Sequence, residues 1–126
     1  MDNFSDISAC TKLAEHYFNA LYTGDTDLFA RIFHPDAMLW CAAGGSYTTL
    51  TVPAYLSIVA GREAPTSRGD RREEAILALS IPTPTTAHLR VSELFLPKRF
   101  TDDLTLLKQG GVWRIIAKVW DFEMVA

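Results

Sequence analysis

Cysteine is scarce in this chain. Only Cys10 and Cys41 occur, and neither stands in a Cys-x-x-Cys pair or at ligand spacing from a histidine, so disulfide scaffolds and zinc modules are set aside. Both are read as small, buried apolar residues of a reducing compartment. Positive charge is also in short supply. Twelve Lys and Arg against 15 Asp and Glu leave a net charge of -3, and nucleic acid, which asks for a basic face, is not an expected partner. No apolar run reaches the roughly 18 residues of a membrane span, so no membrane partner is expected either. The opening MDNFSDISA lacks a basic stretch ahead of an apolar one; no signal peptide is visible and the cytoplasm is the expected compartment. Internal repeats, low-complexity segments, metal-ligand spacings and cofactor motifs are missing too. What is present is a chain of 126 residues, 48% of them hydrophobic, enough for one core and one domain.

Ile7, Cys10, Leu13, Ala14, Tyr17, Phe18 and Leu21 recur at helical spacing and predict an amphipathic helix over 6–22. Ser5 or Asp6 can cap it, and Gly24 can end it in the left-handed conformation. Tyr17 falls on the buried stripe, so its hydroxyl needs a partner or a cavity. Asp25 caps a short helix over 26–33, which His34-Pro35 stops. His34 either bonds the last carbonyls of that helix or takes part in chemistry. A strand over 36–42 carries Met38 and Trp40 on one face and Leu39 and Cys41 on the other. Gly44-Gly45 turns into an edge strand over 46–50. Thr51 then caps a helix over 52–60, with Pro53 in its first turn and Val52, Tyr55, Leu56 and Val59 on its apolar side.

REAPTSRGDRR, residues 62–72, holds four arginines. No glycine-rich turn feeds a helix there, so a solvated, mobile loop able to close over a cavity is preferred to a phosphate site. Strands over 73–81 and 87–96 flank a Pro-Thr-Pro-Thr turn. The first shows Ala75, Leu77, Leu79 and Ile81 on one face, and the second Leu89, Val91 and Phe95.

Gly110-Gly111 joins strands over 100–108 and 112–122 into a hairpin. In the last strand Trp113, Ile115 and Val119 point one way and Ile116, Trp120 and Phe122 the other, so it should be central and covered on both sides. A two-residue turn sets Asp103 opposite Lys118; a three-residue loop sets Asp102 there. Three helices ahead of an antiparallel meander imply an α+β fold: a strongly bent, mainly antiparallel sheet with the helices on its concave face, leaving a cone for a ligand.

YFNALYTGDTDLFARIFHPDA resembles the opening helices and first strand of the nuclear-transport-factor-2-like (cystatin-like, SnoaL-like) superfamily. FTDDLTLLKQGGVWRIIAKVW resembles its closing hairpin. Within that superfamily the chain is most similar to the group named putative lumazine-binding. The resemblance implies the cone fold, with Tyr17 and Asp102 at the positions of the oxyanion-holding tyrosine and aspartate of ketosteroid isomerase. It also implies departures. The isomerase's general base falls at Cys41, and Lys118 opposite Asp102 would keep that carboxylate ionised and unable to donate. Scytalone dehydratase uses a histidine–aspartate pair, but His34 and His88 fall at no matching position. A cyclase-like role would rest on Asp102, with His34 or Asp36 near the mouth.

The resulting expectation is a small-molecule-binding domain without a cofactor, taking a hydrophobic or aromatic molecule in a cone lined by Tyr17, Trp40, Tyr55, Asp102, Lys118 and Trp120, with His34 as a further candidate. A cofactor-free isomerase, dehydratase or cyclase using Asp102 for acid–base catalysis is the first alternative. A dimeric interaction module is the second. A homodimer is expected through an apolar outer sheet face made of Leu107, Trp113, Ile115 and Val119.

Overall fold

The computed structural model describes residues 4–125. Helix α1 (Phe4–Thr23) ends at Gly24, whose φ of +68° is the left-handed conformation that glycine adopts without strain. Asp25 caps α2 (Thr26–Ile32) by accepting from the Leu28 amide at 3.0 Å. Thr51 caps α3 (Val52–Gly61) by accepting from Ala54 N–H. Asp6 is not a cap. Its Oδ1 accepts from Lys108 Nζ at 2.9 Å and Trp113 Nε1 at 3.0 Å, tying the start of α1 to the far hairpin. Those two hydrogen bonds, Lys108's first, hold its carboxyl below the usual range.

The strands are β1 (Phe33–Cys41), β2 (Thr48–Thr51), β3 (Ala75–Ser80), β4 (Thr86–Phe95), β5 (Lys98–Gln109) and β6 (Val112–Met124), in the sheet order β2-β1-β6-β5-β4-β3. The terminal hairpin is therefore central. The last four strands run antiparallel as expected, but β1 lies parallel to β6. The strand at 33–41 begins earlier than expected. Pro35 has no N–H to give a ladder, and the β1–β6 register slides between Phe33 and Met38 around it. The three helices cover one face of the sheet, where Leu39, Leu89, Val91, Leu104, Leu106 and Ile115 are buried against them.

Two expectations about the hairpin need correction. Gly110 and Gly111 form a two-residue turn, so Gln109 faces Val112. Uninterrupted, that register would set Asp103 against Lys118. Ile116 instead bulges out between Leu106–Ile115 and Thr105–Ala117, shifting all later pairs by one. Leu104 therefore faces Lys118, and Asp102 faces Trp120. The bulge also reverses the alternation, so Trp113 and Ile115 share the helix-covered face with Lys118 and Trp120. Ile115 is fully buried and Trp113 nearly so; neither belongs to an outer face.

The arginine-rich segment is pinned rather than loose. A 3₁₀ turn at Pro65–Arg68 precedes Asp70, whose carbonyl accepts from Tyr22 Oη at 2.6 Å. Arg68 pairs with Asp70, Arg71 with Glu73, and Arg72 with Glu74. Arg72 also bonds Asn19 and stacks on Tyr22.

Candidate functional site

Strand pairing sets Asp102 and Lys118 diagonally on the covered face, one from β5 and one from β6. Both are buried. Tyr17, from the inward stripe of α1, donates to Asp102 Oδ2 at 2.6 Å. Edge-on contacts fix the rings above them: Tyr17 against Phe29 at 6.0 Å and Phe29 against Tyr55 at 5.4 Å. Burial first, then the Asp102 charge, raises the Tyr17 phenol well above its ordinary pKa, so it stays a donor.

Glu93 completes this centre. It lies on β4, on the same face as Leu89 and Val91, and is only 4% exposed. Burial, then the Asp102 charge and a hydrogen bond with Asp102, push its carboxyl well above the usual range. Neighbouring buried carboxylates cannot both ionise cheaply, which favours the protonated form of Glu93. Lys118 forms no ion pair with either. Its ammonium lies 4.8 Å from the Tyr55 ring centroid, 5.1 Å from Trp120 and 5.4 Å from Tyr17. Burial works against that charge, but the oxygens of Tyr55, Asp102 and Glu93 outweigh it and keep its pKa raised.

A cavity of about 100 Å³ opens beside this cluster. Tyr55 and Arg62 of α3 and its end, Glu93 and Phe95 of β4, Phe100 of β5, and Lys118 and Trp120 of β6 form its walls. Among the described residues, four buried side-chain atoms have no hydrogen-bond partner: Tyr55 Oη, Arg62 Nη2, Glu93 Oε2 and Asp102 Oδ1. Three belong to residues lining the cavity, and the fourth belongs to the residue bonded behind Glu93. Buried polar groups are almost always paired in proteins; Glu93 Oε2 and Asp102 Oδ1 belong to the two carboxyls bonded to each other, whereas Tyr55 Oη and Arg62 Nη2 belong to residues of the cavity wall.

Of the residues expected at the site, Tyr55, Lys118 and Trp120 line the cavity. Tyr17 and Asp102 stand behind its wall, each fully buried. Trp40 does not join them. It sits between buried Leu39 and Cys41 and so turns to the other side of the sheet, where it pairs with Val119. His34 is at the opposite end. Its Nδ1 accepts from the Asp36 amide at 3.0 Å, leaving Nε2–H to meet Gln109 Oε1 at 3.1 Å. Asp36 is exposed there with it, and Asp103 is on the outer face, paired with Arg90. Leu107 and Val119 do face outward, Val119 being 49% exposed. Sequence reasoning passed over Glu93 and Arg62. Glu93 had a signal: it continues the Leu89, Val91, Phe95 stripe at a spacing of two, a lone acid on an apolar face.

Chemically, the cluster can offer a carboxyl oxygen, an ammonium and the Tyr55 phenol to a bound molecule. It does not reproduce the isomerase arrangement, because Tyr17 spends its hydrogen on Asp102. Among the described residues no group of three His, Cys, Asp or Glu side chains is placed to hold a metal ion. No helix among them is long and apolar enough to cross a membrane.

The family model described as "Putative lumazine-binding" matches residues 5–121. The chain belongs to this family. Among solved structures it is similar to an NTF-2 like protein of unknown function from Silicibacter pomeroyi DSS-3, with 28% identity, a TM-score of 0.85, and 98% of this chain and 100% of that one covered. An NTF2-like protein of unknown function from Methylobacillus flagellatus KT gives 24% identity and a TM-score of 0.81 over 94% and 93% of the two chains. A ketosteroid isomerase-like protein from Erwinia carotovora atroseptica SCRI1043 gives 12% and 0.71 over 91% and 94%, a likeness of fold alone. No curated protein matches the chain. The family thus has the cone fold expected from the opening helices and closing hairpin.

Proposed function

We propose that this member of the lumazine-binding family binds a small planar heteroaromatic molecule whose edge carries carbonyl and N–H groups, as a pteridinedione such as lumazine does. The observation that carries this reading is the convergence of unpaired buried polar atoms on one aromatic-walled cavity. Trp120 supplies a face for the ring. Lys118 donates to a ring carbonyl, and the Glu93 carboxyl accepts from an N–H along the edge. The hollow, about 100 Å³, is smaller than the engineered apolar cavity of about 150 Å³ that takes benzene, so it receives the polar edge of one ring and leaves the rest outside. A fused second ring reaches the mouth beside Arg62.

Thermal shift with lumazine tests this. A ligand at a hundred times its Kd adds about 2.7 kcal/mol of stability, so the wild type should melt several degrees higher with saturating lumazine, and Lys118→Met and Glu93→Leu should lose the gain. No shift of the wild type at millimolar lumazine would overturn the proposal.

A second reading, acid–base catalysis, is favoured by the proton that Glu93 keeps at the cavity wall. Glu93 is then the reacting group, and Asp102, first expected in that role, tunes it from behind. Faster deuterium uptake at the acidic methyl of 6,7-dimethyllumazine with wild type than with Glu93→Gln supports this reading; equal rates remove it. In either case we infer a cytoplasmic homodimer joined through the outer sheet face around Leu107 and Val119.

A further inference from the structure

The four arginines of the strap from Arg62 to Arg72 are not alike. Arg68, Arg71 and Arg72 each meet a carboxylate. Arg62 meets none, and its Nη2 is buried without a partner. The neighbouring Glu63 lies near Arg68 instead, at 3.7 Å. Nor is the guanidinium free to wander: it stacks over the Phe95 ring at 4.5 Å and lies 5.9 Å from the Tyr55 ring centroid. Arg68 packs near the same Phe95 ring at 5.7 Å. A stacked guanidinium keeps its plane, and its donors form a rigid fork matched to a planar carboxylate.

We propose that Arg62 anchors a carboxylate substituent of the ring ligand, so that the cavity's ligand is an aromatic or heteroaromatic acid. This rests on the cavity being the ligand site, as proposed above. The residues around the cavity fit an anion. Arg62 and Lys118 bring two cations to its wall, against the single acid Glu93, whose uncharged form burial favours. Basic groups therefore outnumber acids in the cavity wall, in a chain whose net charge is -3. No carboxylate among the described residues is within ion-pair distance of Arg62, so the missing charge is left for the ligand. The cavity also separates the two cations by function. Lys118 and Glu93 face the ring's polar edge from the sheet, and Arg62 stands at the end of α3.

Calorimetric titrations with two matched pairs test this: lumazine against lumazine-6-carboxylate, and benzamide against benzoate. Each is run with wild type, Arg62→Met and Arg62→Lys. The wild type should favour the acid of a pair by about tenfold or more, as a bidentate charge-assisted contact gives. Arg62→Met should bring that ratio near one. Arg62→Lys should keep only part of it, because an ammonium cannot form the fork. Should Arg62→Met fail to fold, the Arg62→Lys ratio decides. Benzoate preference lost on substitution, with neither lumazine binding, removes the pteridine reading and leaves the Arg62 anchor standing. Acids bound no better than their neutral partners, or a preference unchanged by both substitutions, overturn the inference.

Discussion

Tyr17 donates a 2.6 Å hydrogen bond to Asp102 across 85 residues of sequence, joining the first helix to the fifth strand inside the core. Both partners of that bond are fully buried. Tyr17→Phe should therefore cost about 1–3 kcal/mol, the range for stranding a buried polar group. Urea unfolding followed by tryptophan fluorescence measures it. A cost near zero would mean that water takes over the bond.

The Glu93–Asp102 pair makes stability depend on pH in an unusual direction. Glu93 keeps its proton in the folded state well above the 4.5 of an ordinary glutamate. Between those two values the native state binds more protons than the unfolded chain, so stability falls as pH rises. The contribution is complete below about pH 4.5 and is lost as pH climbs through the folded value. Glu93→Gln removes the titration. The difference in urea midpoint between wild type and Glu93→Gln should therefore move against the wild type from about pH 5 to pH 8. A constant difference would show that Glu93 titrates normally.

Lys118 balances the negative charge left on that pair. Lys118→Met should cost about 3–5 kcal/mol near neutral pH, as removing one partner of a buried charge set does. In acid, with both carboxyls protonated, the cost should shrink. Since Lys118 lowers the Glu93 pKa, its loss should also move the pH-dependent fall in stability upward. The double variant Lys118→Met with Asp102→Leu should recover most of the loss, because no stranded charge remains. Equal penalties for single and double variants would contradict the charge argument.

These predictions rest on features of unequal visibility in the sequence. The caps at Asp25 and Thr51, the stop at Gly24 and the Gly110-Gly111 turn follow from local chemistry, and the residues show it directly. Tyr17 could be placed on an inward stripe by helical period alone, and the family resemblance set it beside Asp102. The Ile116 bulge had no such mark. No glycine or proline stands there, and only the packing of Trp113 and Ile115 under the helices selects it. That single extra residue changed Lys118's partner and turned two supposed interface residues into core. The pairing of β1 with β6 is likewise long-range. Glu93 was legible as an acid in an apolar stripe, but Arg62 was hidden among four arginines, since being unpaired is a property of the fold.

The corrected faces of β6 give opposite expectations for two substitutions. Ile115→Glu buries an unpaired charge in the core and should unfold the protein outright. Val119→Glu lies on the open face, so it should leave the fold intact and convert the proposed dimer to monomer. Light scattering at micromolar concentration, alongside circular dichroism, separates the two. A monomeric wild type, or a Val119→Glu dimer, would remove the outer-face interface.

The central claim is that the unpaired groups around the cavity exist for a ligand. The most direct measurement is a crystal structure of the protein soaked with lumazine at a concentration that saturates its thermal shift. The account predicts a planar ring against Trp120, with Glu93 Oε2 and Lys118 Nζ within hydrogen-bond distance of its edge. A ring bound elsewhere, or a cavity holding only water, would contradict it.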